Sequence, residues 1–279
     1  MSRIGRAPST TVQDCGAIRT TPWPRWRVWA IRVWYGLLSL WAALMASSVV
    51  RMVFGQAGSG EHFGFATVSV WKLLATGGVL VICWTGGRSV VAYQALVVGV
   101  IATTLSDRLW AVEPVDSTPV MSALAMIVLW LLPLVALRPN RRDLFRLHPQ
   151  FSVVLLMAIA AAVPLIYYSI CQGALATGGG GALVDSAYAL TALGVVLAAQ
   201  AILAAFRVSS TSWFPRFVAL TAVWIGTAAM IWPDDLGSLG LAWGAVLAGW
   251  GCVFAAAAEV QRRARSSATT EQTTATPMA

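Results

Sequence analysis

The sequence predicts an all-α, polytopic transmembrane bundle of about eight spans with both termini in the cytoplasm, and three observations carry that prediction. Only 11% of the 279 residues are charged while 58% are hydrophobic, against roughly 25% charged residues in soluble domains. The apolar residues fall into uninterrupted runs of about 20, the length that crosses hydrocarbon as a helix. They lack the alternation of a membrane β-strand. The basic residues sit at the ends of these runs, as orientation signals do, so the net charge of +8 reads as an inner face meeting anionic lipid and not as a nucleic-acid surface.

Residues 1–22 are polar, contain Pro8 and Pro22 and show no hydrophobic period, which predicts a disordered cytoplasmic tail. The membrane domain then occupies 23–260. Residues 23–35 interleave Trp23, Trp26, Trp29 and Trp34 with Arg25, Arg27 and Arg32, an anchor for the headgroup layer ahead of the first span. A signal peptide competes at this point, because Ala46-Ser47-Ser48 would suit cleavage, although the apolar run over 33–50 is longer than such a segment needs. Spans are expected near 32–54, 66–86, 88–106, 118–137, 151–172, 183–206, 216–232 and 237–258. Pro133 and Pro164 fall inside the fourth and fifth, where each removes a backbone bond and kinks its helix. Four glycines at 178–181 predict a flexible loop tip. Residues 261–279 are again polar and are expected to be a disordered tail.

Sidedness follows from residues 138–150, a short loop carrying Arg138, Arg141, Arg142 and Arg146 between two long apolar runs. Counting crossings outward from it puts sixteen Arg against four acids inside. Outside remain Arg51, Lys72 and Arg108 against seven acids. A shift by one span would invert that balance. The even span count also permits a parallel repeat of two four-helix halves.

Few residues bear chemistry. Lys72, predicted about 9 Å inside the outer end of the second span, must snorkel or pair, and Asp185 near the start of the sixth span is its candidate partner. Such a pair would brace the bundle or line an outward-facing cavity. Asp234-Asp235 is similar to the acidic pairs that hold magnesium on pyrophosphates, yet it stands alone after Pro233, so a solvated turn is the expectation. Asp107, Arg108, Glu113 and Asp116 read as another solvated loop. His62 and His148 fall in loops on opposite faces and cannot share a haem or metal. The cysteines Cys15, Cys83, Cys171 and Cys252 form no C-x-x-C pair, which fits neither a disulfide framework nor a zinc site. Protease, P-loop and dinucleotide-binding motifs are missing from the sequence, so neither an enzyme nor a cofactor is expected. On the last span Gly240, Gly244, Ala248 and Cys252 recur every four residues, a column of small side chains that admits another helix, from this bundle, a partner or a second copy.

Residues 148–172 and 231–259 contain a His-Pro before an apolar helix with an A-V-P kink, then a W-P-D turn, S-x-G and a Gly/Trp/Ala-rich last helix. In these features the chain resembles a group of multi-pass membrane proteins of actinobacteria of unknown function. The resemblance implies a bacterial plasma-membrane location and no activity to carry over. The expected function is a non-enzymatic accessory or scaffold subunit with partners at its last helix and anionic lipid at its Arg-rich inner face. The alternative is a small-molecule or ion transporter with an outward polar cavity near Lys72 and Asp185.

Overall fold

The computed structural model describes residues 25–38, 40, 62–85, 89–109, 128, 152–178, 182–208 and 211–274. The expected fourth span near 118–137, the arginine-rich loop 138–150, the tail 1–22 and most of the first span lie outside the described residues. Among those described, all regular structure is helical and there is no strand. The helices are α1 (25–38), α2 (His62–Thr85), α3 (Val90–Leu109), α4 (Val153–Gly178), α5 (Ala182–Phe206), α6 (Trp213–Ile231) and α7 (Gly240–Thr274).

Among the described residues, three helical stretches are long and apolar enough to cross a membrane: Val153–Leu175, Trp213–Ile231 and Gly240–Ser267. Val90–Thr104 and Leu190–Phe206 are shorter apolar helical stretches. Local chemistry starts several helices where they begin. The Ser89 and Ser152 hydroxyls accept from the N–H groups of Ala92 and Leu155, capping α3 and α4. Pro215 sits in the first turn of α6, where its missing N–H has no intrahelical acceptor to lose. Pro164 lies well inside α4, which continues through it.

The helices pair as hairpins, α2 with α3, α4 with α5 and α6 with α7, while α5 also packs on α3, α2 and α6. One core cluster joins α2 through α7 around Leu193, Leu197, Val218 and Phe254; a second joins Ile31 and Tyr35 of α1 to Ile82, Tyr93 and Leu96. Close approach comes from glycines that leave no room for a side chain. A Cβ on Gly194 would strike the Leu165 carbonyl at 2.6 Å, and one on Gly78 would meet the Leu96 nitrogen at 3.1 Å. Small residues are how helices associate when lipid removes the hydrophobic incentive to do so.

Two expectations change here. α7 runs unbroken to Thr274, so residues 261–274 are helical where composition predicts a disordered tail. A helix already nucleated over its apolar half adds residues at little cost, and Glu259 makes ion pairs three and four residues ahead, to Arg262 and Arg263. At the other end, His62 is the first residue of α2 and not part of a free loop.

Candidate functional site

Polar side chains gather at the two ends of the bundle. At one end, Trp232–Leu239 turns the chain from α6 into α7, with Gly237 at φ 76°, a conformation that glycine adopts without strain. Asp235 reaches from this turn to the start of α2, where its Oδ2 accepts from the Phe63 N–H at 2.9 Å and lies 3.7 Å from His62 Nδ1. The His62 ring stacks on Trp232 at 5.8 Å with 13° between planes. From α4, the Tyr168 hydroxyl donates to the Gly237 carbonyl at 2.7 Å. The turn therefore fastens α2, α4 and the α6–α7 hairpin together. Asp234 is exposed and fits the solvated reading, but Asp235 does not: it caps α2 from 172 residues away.

At the opposite end, Glu259 of α7 holds three guanidiniums. It accepts from Arg262 Nη2 at 2.7 Å, Arg263 Nε at 2.9 Å and Arg216 Nη2, on α6, at 3.1 Å. The Arg262 guanidinium, followed by that of Arg263 and then Arg216, holds the Glu259 carboxyl well below the usual carboxylate range. A shallow cleft between the helices is lined there by Thr211, Ser212, Arg216, Glu259 and Arg262.

The four small residues of the column lie in different surroundings. Gly244 and Ala248 do face α6: a Cβ on Gly244 would stand 2.7 Å from the Gly226 carbonyl, and one on Gly226 would meet the Ala248 nitrogen at 2.6 Å. Gly240 instead opens the helix at φ 73° with open space around its Cβ position, and Cys252 is exposed. The seam continues through Gly251, whose Cβ would come within 2.7 Å of the Ala219 carbonyl. It is an intramolecular seam, α7 on α6.

Lys72 lies on α2, ten residues from His62 and hence about 15 Å along the helix. Asp185 lies on α5, three residues from Ala182. These two helices pack against each other, while both side chains lie outside the described part of the structure. Sequence reading overlooked Gln200, fully buried on α5, whose Nε2 donates to the Ala95 carbonyl of α3 at 2.7 Å. Among the described residues no group of three or more His, Cys, Asp or Glu could hold a metal ion, and Cys83, Cys171 and Cys252 are free thiols. Comparison with protein-family models, with curated proteins and with solved structures finds no match.

Proposed function

We propose that this chain is a non-enzymatic accessory or scaffold subunit of a bacterial plasma membrane, with about eight spans and both termini cytoplasmic. In this reading the Trp232–Leu239 turn lies outside and the Glu259 cluster inside. It keeps the chain in the actinobacterial group that its two long motifs resemble. The observation that supports it is the exposure and length of α7. Only 22% of its most apolar window is buried, against 56% for α6. Trp243, Val246, Val253 and Val260 all point away from the bundle. Its 35 residues extend about 52 Å against roughly 30 Å of hydrocarbon. A helix packed on one side and about 20 Å too long for the bilayer gives a membrane partner both a lipid-level face and a cytoplasmic handle.

The test is photocrosslinking in native membranes from Trp243, Val246 and Val253, with Ala219 on the buried face of α6 as control. A discrete protein adduct from the α7 positions is expected. Adducts to lipid alone would refute the scaffold reading. Gly244→Leu is not a suitable probe of partner binding, since it would break the α6–α7 seam itself.

A transport reading draws on the packing of α2 against α5, the helices that carry Lys72 and Asp185. It predicts that small membrane-impermeant amine reagents modify Lys72 from outside. It also predicts that Lys72→Ala and Asp185→Asn lose stability non-additively. Strict additivity together with an unreactive Lys72 would eliminate it.

A further inference from the structure

We propose that the arginine end of the α6–α7 hairpin is a binding site for a phosphate group, carried by an anionic lipid headgroup or by a free phosphate ion. Arg216 in the first turn of α6 and Arg262 and Arg263 on α7 converge on one carboxylate, Glu259. Three guanidiniums against one carboxylate leave two positive charges in excess. Guanidinium is the group best matched to phosphate oxygens, which accept its paired N–H donors.

Two further donors face the same cleft. The Thr211 hydroxyl oxygen is buried, lines the cleft and has no hydrogen-bond partner among the described residues. Ser212, at the N-cap of α6, makes no side-chain capping bond, so its hydroxyl can turn to an anion at the positive end of the α6 dipole. The cleft holds only about 10 Å³, close to one water. A phosphate therefore docks across its rim, against Arg216, which is 60% exposed, and meets the buried Thr211 hydroxyl through the single water that the cleft can hold. The apolar stretch of α7 ends at Ala258, one residue before Glu259, so the site stands at the depth where lipid phosphates lie. Glu259 acts as the internal counter-ion that holds the guanidiniums together until a phosphate competes for them.

The site rests on the membrane reading above for its lipid source but needs no partner protein, so its failure is distinct from a failure of scaffolding. The experiment uses the purified full chain in phosphatidylcholine nanodiscs doped with phosphatidylglycerol, with retained lipid counted by native mass spectrometry. The wild type is expected to keep phosphatidylglycerol beyond its share of the bilayer. Arg216→Gln/Arg262→Gln should lower that retention about tenfold, the effect of roughly one charge-assisted hydrogen bond. Thr211→Val removes a donor without changing charge and should lower retention about threefold, which tests the site even where the arginine variant does not fold. Glu259→Gln should raise retention. A loss as large from Arg3→Gln/Arg6→Gln, an equal charge change elsewhere, would overturn the site in favour of a diffuse field. So would wild-type selectivity in Thr211→Val together with an unmoved Glu259→Gln. In undoped nanodiscs, a saturable response to inorganic phosphate that Arg216→Gln/Arg262→Gln abolishes identifies the free ion as a ligand. A response confined to phosphatidylglycerol identifies the lipid, and a response to neither overturns the proposal.

Discussion

Replacing Gly251 by alanine adds one methyl group, and the structure sets where it must go. Its Cβ would stand 2.7 Å from the Ala219 carbonyl oxygen and 2.9 Å from Val223 Cγ2, whereas an alanine at Gly249, two residues earlier, meets nothing within 4 Å. Interhelical carbon–oxygen contacts sit at about 3.3–3.6 Å, so α6 and α7 would have to separate locally by about 0.6–0.9 Å. The nearest of these atoms is backbone, so no rotamer change relieves the contact with the Ala219 carbonyl. Overpacking of this kind costs about 1–3 kcal/mol. Alanine also improves helix propensity by up to about 1 kcal/mol, but that gain is common to both positions and cancels in their difference. Gly251→Ala should therefore be about 1–3 kcal/mol less stable than Gly249→Ala. Thermal unfolding of purified protein in detergent, followed by tryptophan fluorescence, should separate their Tm values by roughly 2–4 °C per kcal/mol. Equal Tm values for the two variants would refute the placement of the seam.

Asp235→Ala should cost about 1 kcal/mol by uncapping α2, while Asp234→Ala stays within about 0.5 kcal/mol, both read by denaturant unfolding in micelles; equal effects would contradict the cap. Gln200→Leu removes the α5–α3 hydrogen bond inside the core and should lose roughly 0.5–1.5 kcal/mol in the same measurement. The Glu259 cluster has a definite pH signature. Its carboxyl is held below the usual range in the folded protein, so its contribution is fully present above the unfolded value of about 4.3 and is lost as pH falls through the lower folded value. The stability difference between wild type and Glu259→Gln should stay flat from about pH 8 to pH 5 and shrink only in stronger acid. A difference that shrinks near pH 6 would contradict the three-arginine geometry.

Helical class was legible because apolar runs of this length without alternation favour helix over strand, and the described residues are helical with no strand. Which face of each helix packs was not, because spans that are apolar all round leave facing undetermined by pattern. The Gly240–Gly244–Ala248–Cys252 column shows why. At 100° per residue a four-residue step overshoots a full turn by about 40°, so three steps carry the column about 120° around the helix. Its ends cannot lie on one seam, and Gly240 and Cys252 indeed leave it. A seven-residue step drifts by only about 20°, which selects Gly244 and Gly251, both packed on α6. Matching that pair with Gly226 on the preceding helix was the signal available in the sequence.

Asp235 was misread for a different reason. A carboxylate in a turn is solvated by default, and only contact with a helix start 172 residues away makes it a cap. Nothing local distinguishes it from Asp234. The tail of α7 fails the composition rule in the opposite direction. Polar composition judges whether a segment could fold alone, whereas residues 261–274 extend a helix whose nucleus is the apolar stretch packed on α6, with Glu259 pairing forward to Arg262 and Arg263. The same carboxylate thus joins the two features that the proposals use. It stiffens the projecting helix and gathers the guanidiniums that would meet a phosphate. Glu259→Gln should loosen the first while strengthening anion binding at the second, opposite changes that a purely structural ion cluster would not produce.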